Sequence, residues 1–167
     1  MMRRVVVTGL GAVTPLGVGA RRSWNRLIAG DCGITSVADR EPKDRWRELT
    51  SSVAGVVPTG EGEGAWNASD WVNAAELRRM STFTQYAMAA SQMALKDAEW
   101  EATQMADKEA TGVCLGSGIG NLDEIYNTSL EHNAGVSARA KMLYNLGRLL
   151  TCYRAIRKYR HYLCQRY

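Results

Sequence analysis

The residues with the strongest claim to chemistry in this 167-residue chain lie in two glycine-rich stretches. The first, Arg3 to Gly17, reads RRVVVTGLGAVTPLG, and the second, Thr111 to Gly120, reads TGVCLGSGIG. Glycine permits positive φ and close backbone approach, while proline fixes φ and removes a donor. Gly9, Gly11 and Gly17 around Thr14 and Pro15 therefore describe a shaped loop and not an ordinary helix cap. In α/β sheets ligands gather at the carboxyl ends of strands, so two glycine-rich strand ends are expected to line one site.

A dinucleotide site is the first chemistry to weigh. Gly9-Leu10-Gly11 opens like a G-x-G-x-x-G turn, but Thr14 replaces the third glycine and Pro15 follows at once. A helix interior would lose about 3 kcal/mol to that proline. No acidic residue ends a second strand about 20 residues on, as the fingerprint requires. Cysteine chemistry is the second. Cys32, Cys114, Cys152 and Cys164 form no C-x-x-C pair and have no histidine at metal-ligand spacing. They read as free thiols in a reducing compartment. Cys114 is flanked by Val113 and Leu115 in a segment that reads as a buried strand, with no base or helix N-terminus nearby, so it is expected to be structural. His132 and His161 are isolated in the sequence and read as exposed or packing residues.

The elements that must position these residues follow from periodicity. Val5, Val6 and Val7 suit a strand buried on both faces. Arg21 to Ala29 reads as a short helix with Trp24, Leu27 and Ile28 at i, i+3, i+4, stopped by Gly30. Ile34 to Val37 and Ser51 to Val57 read as extended pieces, the latter ended by Pro58. The segments 39–48 and 59–64 read as loops, the second acidic, flexible and without an apolar anchor. Ser69 is an N-cap candidate for a turn of helix to Val72, and Ala74 to Arg79 adds another turn or two. The longest element is expected over Thr82 to Trp100, capped by Ser81 or Thr82. Its stripe is Phe83, Tyr86, Ala87, Ala90, Met93 and Ala94, thin enough for close packing. Glu99 to Ala110 reads as an acidic loop or short helix. Thr111 to Gly116 reads as a second buried strand, and Leu122 to His132 as a helix with Asn121 at its N-cap.

Three stretches together resemble the N-terminus of a β-ketoacyl-acyl carrier protein synthase, of the elongating bacterial and mitochondrial kind. They are RRVVVTGLGAVTPLG with Trp24, Leu27 to Gly30 and Cys32-Gly33-Ile34; Arg78-Arg79-Met80 leading to Phe83-Thr84-Gln85-Tyr86; and Gly112 to Gly120. The resemblance covers about residues 3–135. It implies a thiolase-like α/β fold of layered helices and mixed sheet, here as a partial N-terminal half, and a homodimer. It also implies decarboxylative Claisen condensation in fatty acid biosynthesis, an acyltransferase reaction with substrates carried on the phosphopantetheine of acyl carrier protein and no bound cofactor. By the same resemblance Gly116 and Ile119 belong to the acyl pocket, with Ile119 gating it, and Arg78 and Arg79 dock the acidic carrier. A third basic position of that patch falls on or near Ala75. The family's nucleophilic cysteine, two histidines and supporting lysine have no counterpart in the chain, so it is expected to be a truncated, catalytically incomplete form.

Charge divides the chain. Residues 136–167 hold eight basic residues and no Asp or Glu, leaving 13 basic against all 17 acidic residues in 1–135, a balance of −4. The expected organisation is a β-ketoacyl synthase portion over 1–135 and a divergent basic tail over 136–167, shifted in frame or mis-spliced. Two other functions stay open: a non-catalytic dimerising or carrier-binding module, and a nucleic-acid-binding protein acting through the tail. No apolar run approaches the roughly 20 residues of a membrane span. No targeting segment is visible, so the cytoplasm or, with an upstream leader, the mitochondrial matrix is expected.

Overall fold

The computed structural model describes residues 4–38, 50–77, 80–116 and 121–133, with backbone only for Glu124, Thr128, Glu131 and His132. Arg78, Arg79, Ile119, the 39–49 loop, Cys152, His161, Cys164 and the whole basic tail lie outside the described residues. The chain forms two compact units. One comprises residues 1–71 and 86–100, the other residues 72–85 and 101–167.

In the first unit, β1 (Val13–Thr14) and β2 (Gly17–Val18) form an antiparallel hairpin around Pro15 and Leu16. Gly17 at φ 128° and Gly19 at φ 106° adopt backbone that L side chains rarely reach, which is why glycines bracket this turn. Gly19 leads directly into α1 (Ala20–Ile28), and Gly30 at φ 80° follows its end. A second hairpin pairs β3 (Ile34–Ser36) with β4 (Val53–Gly55), Thr35 opposite Ala54. Pro15 packs at the end of this hairpin where Gly33 and Gly55 lie. A Cβ added at Gly33 would lie 2.8 Å from Pro15 Cβ, and one at Gly55 would lie 3.2 Å from Pro15 Cγ.

The acidic 59–64 loop is anchored, contrary to the expectation from its composition. The Val18 amide donates to Gly64 O at 2.9 Å, and the Trp66 amide to Pro58 O at 2.7 Å. Trp66 is buried at 7% exposure, edge-on to Tyr86 with ring centroids 4.7 Å apart. The anchor sits just past the loop, and its partner ring is 20 residues further on, beyond the reach of a local pattern.

The long helix α3 (Thr82–Asp97) follows a short α2 (Ala74–Leu77). Its alanines serve the first unit by letting another backbone in. A Cβ at Gly9 would collide with Ala94 O and lie 2.6 Å from Ala98 N; one at Gly11 would collide with Ala90 O and lie 2.8 Å from Ala94 N. Asp97 at the helix end accepts the Leu10 amide at 2.8 Å. In the second unit, Asn73 caps α2 by accepting the Glu76 amide at 2.9 Å. Asp107 accepts the Gln104 amide at 3.3 Å at the start of α4 (Met105–Ala110). The helix α5 (Leu122–Asn133) begins, as expected, after Asn121, whose carbonyl accepts the Ile125 amide at 3.1 Å.

Four expectations are corrected. Val5–Val7 and Thr111–Gly116 carry no β-ladder, and Val5 is 96% exposed. A central strand exists only where neighbours bond both of its edges, and the described residues supply none for either segment. Cys114 is exposed for the same reason. The cap of the 69–72 turn is Asn67, whose Oδ1 takes both the Ser69 amide and hydroxyl. Trp24, Leu27 and Ile28 keep their helical spacing on α1 but remain exposed. The same holds for Leu122, Ile125, Tyr126 and Leu130 on α5.

Candidate functional site

The first glycine-rich loop is built from a hydroxyl network. Thr14 Oγ1 accepts the Leu16 amide at 3.1 Å and shares a hydrogen bond with Ser23 Oγ at 2.8 Å. Ser23 Oγ in turn lies 2.9 Å from Gly19 O, one turn back along α1. Arg26 Nη1 donates to Leu16 O at 2.8 Å, and its Nε reaches Asp31 Oδ2 at 2.6 Å. The hairpin tip is thus tied to two successive turns of α1, and Gly9 and Gly11 lie flush on α3.

Thr14→Val keeps the shape of the side chain and removes its hydroxyl, taking the acceptor from the Leu16 amide, while the Ser23 hydroxyl keeps Gly19 O. The expected loss is about 1–3 kcal/mol of unfolding free energy. It should be measured by urea denaturation of the chain beside Thr14→Ser, which keeps the hydroxyl and should stay near wild type.

The residues singled out for function are only partly described. Gly116 is exposed at the end of the 111–116 segment, which carries no β-ladder among the described residues, and a Cβ there would meet nothing within 4 Å. It falls in the second unit, and the Arg3–Gly17 stretch in the first. Ile119 lies outside the described residues, and so do Arg78 and Arg79, although the positions on either side of the arginines are described. Glu76 O accepts the Met80 amide at 3.1 Å, and Met80 is buried at 5% exposure. Ser81 Oγ and Thr84 Oγ1 are 2.8 Å apart, and Gln85 Nε2 donates to Met80 O at 3.1 Å. Sequence reasoning missed Gln85 and Asp97. A lone amide or carboxylate on a helix has no local signature for the backbone group it will meet.

Among the described residues no group of three or more His, Cys, Asp or Glu is placed to hold a metal ion. No helix among them is long and apolar enough to cross a membrane. Cys32 and Cys114 are free and exposed.

Residues 2–152 match the model of the beta-ketoacyl synthase N-terminal domain, running past Gly135, where the sequence resemblance was placed to end. A putative mitochondrial 3-oxoacyl-[acyl-carrier-protein] synthase of Schizosaccharomyces pombe is 48% identical over 126 residues, 75% of this chain and 29% of the relative. A 3-oxoacyl-[acyl-carrier-protein] synthase 2 of Rhizobium meliloti is 41% identical over 150 residues, 89% of this chain and 35% of the relative. The chain thus spans about a third of the length of these relatives. The crystal structure of a beta-ketoacyl synthase from Burkholderia phymatum superposes with a TM-score of 0.60 at 28% identity, covering 80% of this chain and 31% of that one. The mixed α/β arrangement is accordingly part of a thiolase-like fold, and the chain belongs to the β-ketoacyl synthase family, matching its N-terminal domain.

Proposed function

We propose that this chain is the N-terminal portion of a β-ketoacyl-acyl carrier protein synthase of fatty acid biosynthesis. The observation that carries this reading is the family match over residues 2–152, joined by relatives named as 3-oxoacyl-[acyl-carrier-protein] synthases. The reaction is decarboxylative Claisen condensation of a malonyl group with an acyl thioester, both delivered on the phosphopantetheine of an acyl carrier protein. In this reading the nucleophilic cysteine, the two histidines and the lysine are not among residues 1–167. The chain then contributes the carrier-docking corner and one wall of the acyl pocket. Its partners are the carrier and a second copy in a homodimer, with no nucleic acid and no bound cofactor. Its compartment is the cytoplasm or the mitochondrial matrix, in keeping with one bacterial and one mitochondrial relative.

Arg78 and Arg79 are the docking residues, because adjacent guanidinium groups steer and hold a strongly anionic partner. Arg78→Glu with Arg79→Glu should weaken binding of an acidic carrier protein by about tenfold or more at low ionic strength, and by less at high salt. Surface plasmon resonance over a salt series measures this. An unchanged affinity at low salt contradicts the assignment.

Ile119 is the bulky residue of the Gly116–Gly120 segment and limits acyl length. In a complete synthase carrying this N-terminal portion, Ile119→Phe should shift products toward shorter chains, since overpacking an apolar wall costs roughly 1–3 kcal/mol. An identical product profile makes Ile119 a packing residue only.

The acid-free segment 136–167 is proposed as a divergent tail, its composition set against a family match that runs on to residue 152. Peptide mapping of the natural protein past Gly135 by mass spectrometry decides the matter. Peptides matching residues 139–160 support the tail as a genuine product, and their absence supports a reading-frame or splicing error.

A further inference from the structure

We infer that Val5–Val7 form a docking strand for the part of a complete synthase that this chain does not span, an inference that rests on the N-terminal-portion reading proposed above. The segment is exposed although it is held at one end. Leu10 is fixed by its amide bond to Asp97, and Gly9 and Gly11 lie against the backbone of α3. Just before that anchor, Val5, Val6 and Val7 are 96%, 73% and 79% exposed. The reason is geometric. Gly11 meets Ala90 and Ala94, and Gly9 meets Ala94 and Ala98. Two residues of extended chain advance about 6.6 Å, somewhat more than one helical turn of about 5.4 Å. From Gly9 to Val7 and then Val5 the chain therefore runs past Asp97, where α3 ends.

Three consecutive β-branched residues suit a strand covered on both faces and bonded along both edges. Among the described residues nothing supplies those bonds: β1 pairs only with β2, and β3 only with β4. The missing cover has a source of known size. The chain spans 29% of the Schizosaccharomyces pombe synthase and 35% of the Rhizobium meliloti one, so the greater part of such a protein lies outside it. The occupant is an apolar, extended segment of that remainder. Main-chain bonds to the free edges of Val5–Val7 recognise it, and packing on the valine faces adds affinity. A second copy fits less well. Three residues paired edge to edge with themselves make a two-stranded ribbon, which leaves both valine faces in water and is marginal by itself.

The test co-expresses the full 167-residue chain with the portion of the Rhizobium meliloti synthase that follows the segment the chain matches. The readouts are co-purification and Kd, amide hydrogen exchange by mass spectrometry, condensation activity of the pair, and binding of the chain alone to an acidic acyl carrier protein. The two pieces should co-purify one to one, and exchange at Val5–Val7 should slow by about a hundredfold or more in the complex. Raising the concentration of the chain alone should leave those amides fast. Val6→Pro removes a donor from the strand and should raise Kd by about tenfold or more, while Val6→Ile should bind like wild type. If circular dichroism shows that Val6→Pro does not fold, Val6→Asp takes its place with the same expectation. A complex in which Val5–Val7 still exchange fast, or which the donor-free or charged variant forms like wild type, overturns the docking strand. Protection brought on by concentration alone overturns it in favour of a second copy. Failure to co-purify, in a chain that still binds the carrier protein, overturns the docking strand and leaves the proposed function standing. A protected complex with no condensation activity, from a chain that binds no carrier, keeps the docking strand and overturns the proposed function.

Discussion

Gly11→Val should be the most damaging single substitution in the first unit, lowering unfolding free energy by about 3 kcal/mol or more. The reason is space and not backbone angle. A Cβ at position 11 collides with Ala90 O and comes within 2.8 Å of Ala94 N, both main-chain atoms of α3. A flexible side chain could rotate away, but a helix backbone can yield only by moving the helix. Overpacking in well-filled sites costs roughly 1–3 kcal/mol and can exceed that when backbone must shift. Moving α3 would also strain the Leu10 amide bond to Asp97 and the Trp66–Tyr86 contact, since all are held by the same helix. Gly11→Ala should already show most of the loss, because the Cβ itself is the clash. Gly62→Ala is the matched control: its Cβ would meet nothing within 4 Å, and the change should stay within about 0.5 kcal/mol of wild type. Urea unfolding followed by far-ultraviolet circular dichroism measures all three. Equal midpoints for Gly11→Val and Gly62→Ala would show that the close approach of the loop to α3 is not maintained in solution.

Residues 1–167 expressed alone should give no measurable malonyl decarboxylation or condensation, and should self-associate. The chemical part follows from the proposed function. Condensation needs a nucleophilic thiolate, groups that promote decarboxylation and donors for the oxyanion, and the described residues offer no such set. Cys114, the one thiol of the second glycine-rich stretch, is exposed, and among the described residues it has neither a hydrogen-bonded base nor a helix N-terminus beside it, α5 beginning only at Leu122. The physical part rests on uncovered apolar surface. Val5–Val7 have no strand partner among the described residues, and the apolar residues of α1 and α5 are each about half exposed or more. Apolar faces on this scale favour association. Activity is assayed with malonyl and acyl groups on an acyl carrier protein, and association by light scattering across a concentration series. Clear turnover abolished by Cys152→Ala or Cys164→Ala would make residues 136–167 an active-site segment and overturn the prediction.

What the sequence determined by itself is what depends on neighbours within a turn or two. Trp24, Leu27 and Ile28 share one face of α1 because i, i+3, i+4 spacing follows from 3.6 residues per turn, whether or not anything covers that face. Gly17 and Gly19 stand where φ is positive, and the Thr14–Gly17 hairpin forms around Pro15 because turn chemistry is local. Family membership was legible for a related reason: three motifs in fixed order survive in the linear string even where their surroundings differ. Tertiary structure decided whatever needed a distant partner. Valine runs at 5–7 and apolar residues at 113–115 carry strand propensity, but a ladder needs hydrogen bonds from other segments, and among the described residues these are missing. The purpose of Gly9 and Gly11 is invisible without α3, some 80 residues on, whose alanines receive them. Nor does composition reveal that Trp66 pins an acidic loop, or that Gln85 and Asp97 hold particular backbone groups. Each of those bonds depends on which main-chain atom the fold brings within about 3 Å, and local propensity does not encode that distance.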